Sequence, residues 1–168
     1  NRRKISKDFN VETYKKYLIL AKKYKYNFIS FLNFEKKKKN LKNKSIILRH
    51  DVDIDLNLAV EFAKIENKLN IKSTFFVMIN NNLYNLFSKN SKKIIKKILS
   101  YGHDIGLHHD ISFNKSYNLK IIKKNIDKEI KFFNDVYSYK IRYVSFHKPE
   151  KFLLKKRVIN KNFISVYN

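Results

Sequence analysis

Ile46-Ile47-Leu48-Arg49-His50-Asp51-Val52-Asp53-Ile54-Asp55 is an apolar, strand-forming run that breaks off into a cation, an imidazole and three carboxylates. It reads as a buried strand that delivers ionisable side chains to one point, as parallel strands do at their C-terminal ends. Because side chains alternate along an extended chain, Asp51 and Asp53 are expected on one face, with His50 and Val52 on the other. Two carboxylates this close call for a cation or a shared proton. Asp55 has a plainer role, as the N-cap of a helix starting near Leu56.

Outward from this stretch, periodicity alternates between strand and helix. Upstream, a helix is expected from Val11 to about Tyr24, a short strand over Asn27 to Phe31, and a lysine-rich connector from Glu35 to Lys44. Downstream come a helix over Leu56 to Leu69, a buried strand over Lys72 to Met78, and a helix capped by Ser91 that closes at Tyr101-Gly102. A strand from His103 to Asp110, a helix from Tyr117 to Val136 and a strand from Ile141 to Phe146 follow, and Phe163 to Val166 is a last candidate strand. This alternation predicts βαβ units and a parallel sheet, open or closed into a barrel.

At 168 residues the chain has room for one domain with a real core, taken as spanning 1–168. The net charge of +24 invites a nucleic-acid partner, but only five of the 38 basic residues are Arg. The rest are Lys, scattered among 21 Asn, which reads as compositional bias on solvated faces rather than a phosphate-binding surface. No nucleic-acid partner is expected. Against this bias the rare residues stand out: both Gly (102 and 106), the one Pro (149) and all five His (50, 103, 108, 109 and 147) fall in three short stretches. The absence of Cys excludes disulfides and Cys-type zinc sites. No apolar run reaches the roughly 18 residues of a membrane span, and the N-terminus lacks a signal-peptide pattern, so a cytoplasmic location is expected. The chain opens without Met and stops just after an apolar stretch, as a fragment would. The oligomeric state is not legible.

In Gly102-His103-Asp104-Ile105-Gly106-Leu107-His108-His109-Asp110, alternation puts His108 and Asp110 on one face and His109 on the other. His108 beside Asp110 suits a metal ligand or base oriented by a carboxylate. His103, at the start of the strand, reads as structural, and His109 as a packed histidine, the alternative being a second ligand. His147 closes a strand where Lys148-Pro149 forces a turn. Three strand ends thus carry ionisable groups: Asp51 with Asp53, His108 with Asp110, and His147.

Taken in order, Arg49-His50-Asp51-Val52-Asp53, Gly102 to His108 and Ser145-Phe146-His147-Lys148-Pro149 resemble the polysaccharide deacetylase (NodB-homology, carbohydrate esterase 4) superfamily, in its branch with a His-Asp-Val-Asp first motif. The resemblance runs from about Asn10 to the end. It implies an α/β fold, an irregular (β/α) barrel with parallel strands, here either complete or shortened at its C-terminus. It further implies a divalent metal, zinc being the expected one, and hydrolysis of N- or O-acetyl groups on a carbohydrate substrate such as a surface-glycan precursor. On this basis Asp51 resembles the catalytic base, Asp53 the metal-binding aspartate and His108 the first histidine ligand. The second histidine should stand four residues later, where this chain has Ser112. His147, which ends a neighbouring strand, is preferred to His109 as the third ligand. Arg49, His50, Asp110 and Lys148 are expected around the site, touching substrate or the ligands. No counterpart of the late histidine motif that usually supplies the acid is found. The rival expectation is a degenerate barrel that holds a glycan or metal without turnover.

Overall fold

The apolar run at Ile46 is divided between two sheets. In the computed structural model, which describes residues 10–37, 44–113, 118–155 and 158–167, Ser45–Ile46 (β2) pairs in parallel with Asn27–Phe28 (β1). Arg49–Val52 (β3) starts a separate five-stranded sheet. The expected single buried strand is therefore two short ones, with Ile47 and Leu48 between them. β3 is only part-buried because it lies at an edge of its sheet.

Thr74–Val77 (β4), Asp104–Asp110 (β5), Tyr143–His147 (β6) and Ile164–Ser165 (β7) complete that sheet, every pairing parallel, in the order β3-β4-β5-β6-β7. Each strand lies beside its successor, so right-handed crossovers put all the connecting helices on one side. These are Leu56–Lys68 (α3), Lys89–Ser100 (α4), Leu119–Tyr137 (α5) and the short Lys151–Leu154 (α6). The chain is thus α/β with parallel strands. Sequential order is that of a barrel wall, and among the described residues the wall stays open between β3 and β7.

Local chemistry sets the helix limits. Asp55 caps α3 as expected, its Oδ1 accepting from the Asn57 N–H at 2.8 Å. The cap of α4 is Ser88 rather than Ser91: the Ser88 Oγ takes the Ser91 N–H, which frees the Ser91 hydroxyl to donate to the Asn85 carbonyl at 2.7 Å. Such a cap contributes about 1 kcal/mol. Ile94, Ile95 and Ile98 of α4 are buried, each side chain worth roughly 1.5–3 kcal/mol when fully removed from water. α4 ends at Tyr101, and Gly102 follows at φ +86°, a left-handed conformation that favours glycine. The stretch from Phe31, expected to end a strand, instead begins a helix, Phe31–Lys37 (α2). The middle of the lysine-rich connector lies outside the described residues.

Alternation divides the five-stranded sheet into two faces. Val52, Phe75, Val77, Ile105, Leu107, Val144 and Phe146 form the core with α3, α4 and α5. The opposite face carries Arg49, Asp51, Phe76, Gly106, His108, Tyr143, Ser145 and His147. A Cβ on Gly106 would lie 2.4 Å from the Phe76 ring, so glycine leaves the space that this ring fills. Phe31 of α2 packs edge-on against Phe76 and beside Tyr143, while Glu35 accepts from Tyr143 and Arg142. α2 therefore sits over the early part of the strands, and their C-terminal ends are left for polar groups.

Candidate metal centre

The C-terminal ends of β3, β5 and β6 converge on one carboxylate oxygen. The Oδ1 of Asp53, just beyond β3, lies 3.1 Å from Nε2 of His108 and 3.3 Å from Nδ1 of His147. The two imidazoles stand edge to face, 5.3 Å between centroids, and the three donor atoms all fall within 4.8 Å of one another. Asp53 Oδ1 is buried and makes no hydrogen bond, although both nitrogens are near. A buried acceptor left this way costs roughly 1–3 kcal/mol, more when charged. This oxygen together with the two imidazole nitrogens fits a divalent ion, and zinc accepts this donor set. Burial is the main influence on His108 and pushes its pKa below the ordinary value; the carboxylates of Asp51 and Asp53 pull upward, and His147 and Arg49 add to the lowering. The resulting neutral imidazole is the form that binds metals.

Asp51 faces the same side, held at both oxygens. Arg49 donates to Oδ2 at 2.6 Å, and the Ser145 hydroxyl donates to Oδ1 at 3.3 Å. Arg49 itself lies over the rings of Phe76 and Tyr167. Ser145 is fully buried and sits directly opposite His108 in the β5–β6 register, with its Oγ 2.6 Å from His108 Nδ1. Behind the ligands, the loop after β4 secures the end of β3. Asn81 donates to the Asp53 carbonyl at 2.9 Å, and Tyr84 donates to the Val52 carbonyl at 2.7 Å while accepting from the Met78 N–H. A cleft of about 340 Å³ opens next to Asp51 and Asp53, lined also by Val52, Leu58 and Phe62.

Several residues named from sequence lie elsewhere. Asp110 is in register with His147, but its carboxylate accepts from the Ser112 N–H at 2.8 Å and closes the turn after β5. The partner of His108 Nδ1 is Ser145 instead: along-strand alternation gave the right face for Asp110, but the nearer group stands across the strand pair. His50 points to the helix face, as alternation required, and donates to Glu66 at 2.6 Å, so it is not among the groups around Asp53. It does line the cleft. His109 also faces the helices and contacts Glu129 of α5 at 2.7 Å. His103 is buried, accepts from the Ser73 N–H at Nδ1 and donates from Nε2 to the Ala63 carbonyl, a structural arrangement. Ser112 is exposed. Lys148 is exposed and turns the chain away at φ +45°, an uncommon geometry for a side chain other than glycine.

Ser145, Asn81, Tyr84 and Glu66 were not singled out in the sequence. Only Ser145 carried a signal there, standing two residues before His147 and hence on its face.

No family model matches the chain, and no curated protein matches it. Among solved structures it is similar to the Streptococcus pyogenes deacetylase PplD, determined in complex with acetate, with a TM-score of 0.61 and 16% sequence identity over 79% of this chain and 60% of that one. The chain thus spans about 60% of that protein's length. At this identity the likeness is one of architecture alone.

Proposed function

We propose that this chain is a metal-dependent hydrolase that removes acetyl groups, amide- or ester-linked, from a sugar. The observation that carries this reading is the buried Asp53 Oδ1, which makes no hydrogen bond yet lies within 3.3 Å of two imidazole nitrogens. Its position beside Asp51, in a fold like that of a deacetylase, supports the choice of reaction. Asp53, His108 and His147 would hold the ion. When bound, a divalent ion of this kind supplies Lewis acidity, lowering the pKa of water toward about 7 and polarising a carbonyl. Asp51 accepts the proton from the attacking water. Arg49 orients Asp51 through their 2.6 Å ion pair.

The test is acetate release from N-acetylated and O-acetylated oligosaccharides by metal-stripped protein, with and without added zinc, cobalt or manganese. Metal-dependent release that disappears in Asp51→Asn, with metal content retained, is expected. Loss of metal together with activity in that variant would make Asp51 a ligand, and no release from any acetylated sugar would overturn the reaction. One observation favours a second reading, a glycan- or metal-binding chain without turnover: both oxygens of Asp51 already accept hydrogen bonds. Saturable glycan binding without acetate release would identify it.

A further inference from the structure

Resting on that reading of the site, we propose that Ser145 is a positioning residue that locks His108 in the tautomer needed to bind a metal and ties this ligand to Asp51. A count of protons carries the proposal. The Ser145 hydroxyl has one hydrogen and two polar neighbours, His108 Nδ1 at 2.6 Å and Asp51 Oδ1 at 3.3 Å. The hydroxyl is the donor to Asp51 Oδ1, whose partner oxygen Oδ2 accepts from Arg49 at 2.6 Å. Ser145 Oγ must then accept from His108, which places the imidazole hydrogen on Nδ1. In a neutral ring this leaves Nε2 with a bare lone pair, and Nε2 is the nitrogen 3.1 Å from Asp53 Oδ1.

The opposite tautomer leaves two conflicts. An Nε2 hydrogen would have to serve Asp53 Oδ1, which makes no hydrogen bond, and a hydroxyl turned toward His108 would set two acceptor oxygens face to face at Asp51. Ser145 is 0% exposed, so no solvent competes for either of its contacts. Register puts it there: His108 and Ser145 are Cα partners on adjacent parallel strands, and their side chains project to the same face. The hydroxyl thus does the work that a carboxylate or backbone carbonyl commonly does behind a metal-bound histidine.

The test uses the full chain, metal-free, with long-range proton–nitrogen NMR of the histidine rings, His108 being assigned from the signals lost in His108→Gln. The wild type is expected to show His108 as the Nδ1–H tautomer. Ser145→Ala should move it toward Nε2–H and weaken zinc binding by about 10- to 100-fold in calorimetry, the usual cost of losing such a partner. Ser145→Thr, which keeps the hydroxyl, should restore both. An Nε2–H signal in the wild type overturns the proposal, and this reading needs no variant to fold. An unchanged tautomer and zinc affinity in folded Ser145→Ala also overturns it. If the wild type binds no divalent ion, the proposed function falls, while the tautomer still decides the role of Ser145.

Discussion

On the helix face of the sheet, Glu66 is 0% exposed and accepts from Tyr14, His50 and Ser73; on the other face, the Asp53 side chain is 43% exposed, yet its Oδ1 atom is buried and accepts from nothing. Both carboxylates are within reach of two imidazoles: His50 and His103 for Glu66, His108 and His147 for Asp53. Residue type alone would score the two clusters alike. What separates them is satisfaction. The Glu66 network closes on itself through Ser73, whose hydroxyl reaches both Glu66 and His103, and it joins α1 (Val11–Lys23), β3 and α3 into one body. A closed network of this kind rigidifies, and an open one leaves an acceptor to which a further partner can bind.

The comparison can be broken most forcefully at Glu66. Glu66→Ala strips the partner from three buried or half-buried groups and should destabilise the chain by about 3–5 kcal/mol in urea unfolding, with metal stoichiometry unchanged where the variant is still folded. Lost metal binding in folded protein would join the two clusters into one site. Next in size, His147→Ala should weaken zinc binding by about 10- to 100-fold or more, whereas His109→Ala, whose ring faces α5, should leave affinity nearly as it was. Equal effects would remove the distinction between the two faces.

Acidification sharpens the contrast further. Burial holds His103 below the ordinary histidine value, so an unfolded chain binds the proton first, and stability falls as pH drops below about 6.5. Burial pushes Glu66 up, but hydrogen bonds from His50, Ser73 and Tyr14 and the charge of His50 outweigh it and leave Glu66 below the usual range. Its stabilisation is present above the unfolded value of about 4.3 and is lost as pH falls through that value and below. Urea midpoints measured from about pH 7.5 down to about pH 2.5 should therefore decline in two stages, and a level profile would disconnect both groups from stability. The smallest effect is expected at Asp53. Asp53→Asn puts donors where an unsatisfied acceptor stood, so metal-free stability should stay level or rise by about 1 kcal/mol. A loss above about 2 kcal/mol would make Asp53 a satisfied structural group.

The fold was legible where periodicity was strong. Ile94, Ile95 and Ile98 announced α4, and Thr74 to Val77 announced a strand buried on both faces. It was less legible where tertiary pairing decides: the strand break between Ile46 and Arg49 depends on β1 drawing off one end of the run. For the site, counting which strand ends carry ionisable groups pointed to Asp51, Asp53, His108, Asp110 and His147 together, and it was the family resemblance that picked out Asp53 and His108 as ligands. Asp110 misled because alternation along one strand fixes a face but not the nearest neighbour, which on adjacent strands is a matter of register. Glu66 was invisible because either of the two glutamates on a lysine-bearing helix, Glu61 or Glu66, looks solvated until the partners on β3, on α1 and just before β4 are known.

β3 is an edge strand, held to β4 by four residue pairs, and the groups around Asp53 reach past β4 to β5 and β6. An ion gripped there would act as a rivet through the margin of the sheet, bypassing the strand to which that margin is hydrogen-bonded. Edges are where sheets fray first. Metal scarcity would then be recorded as amide exchange quickening at Arg49 to Val52 before the centre of the sheet responds, so one short segment of backbone reports the ion supply of the whole molecule.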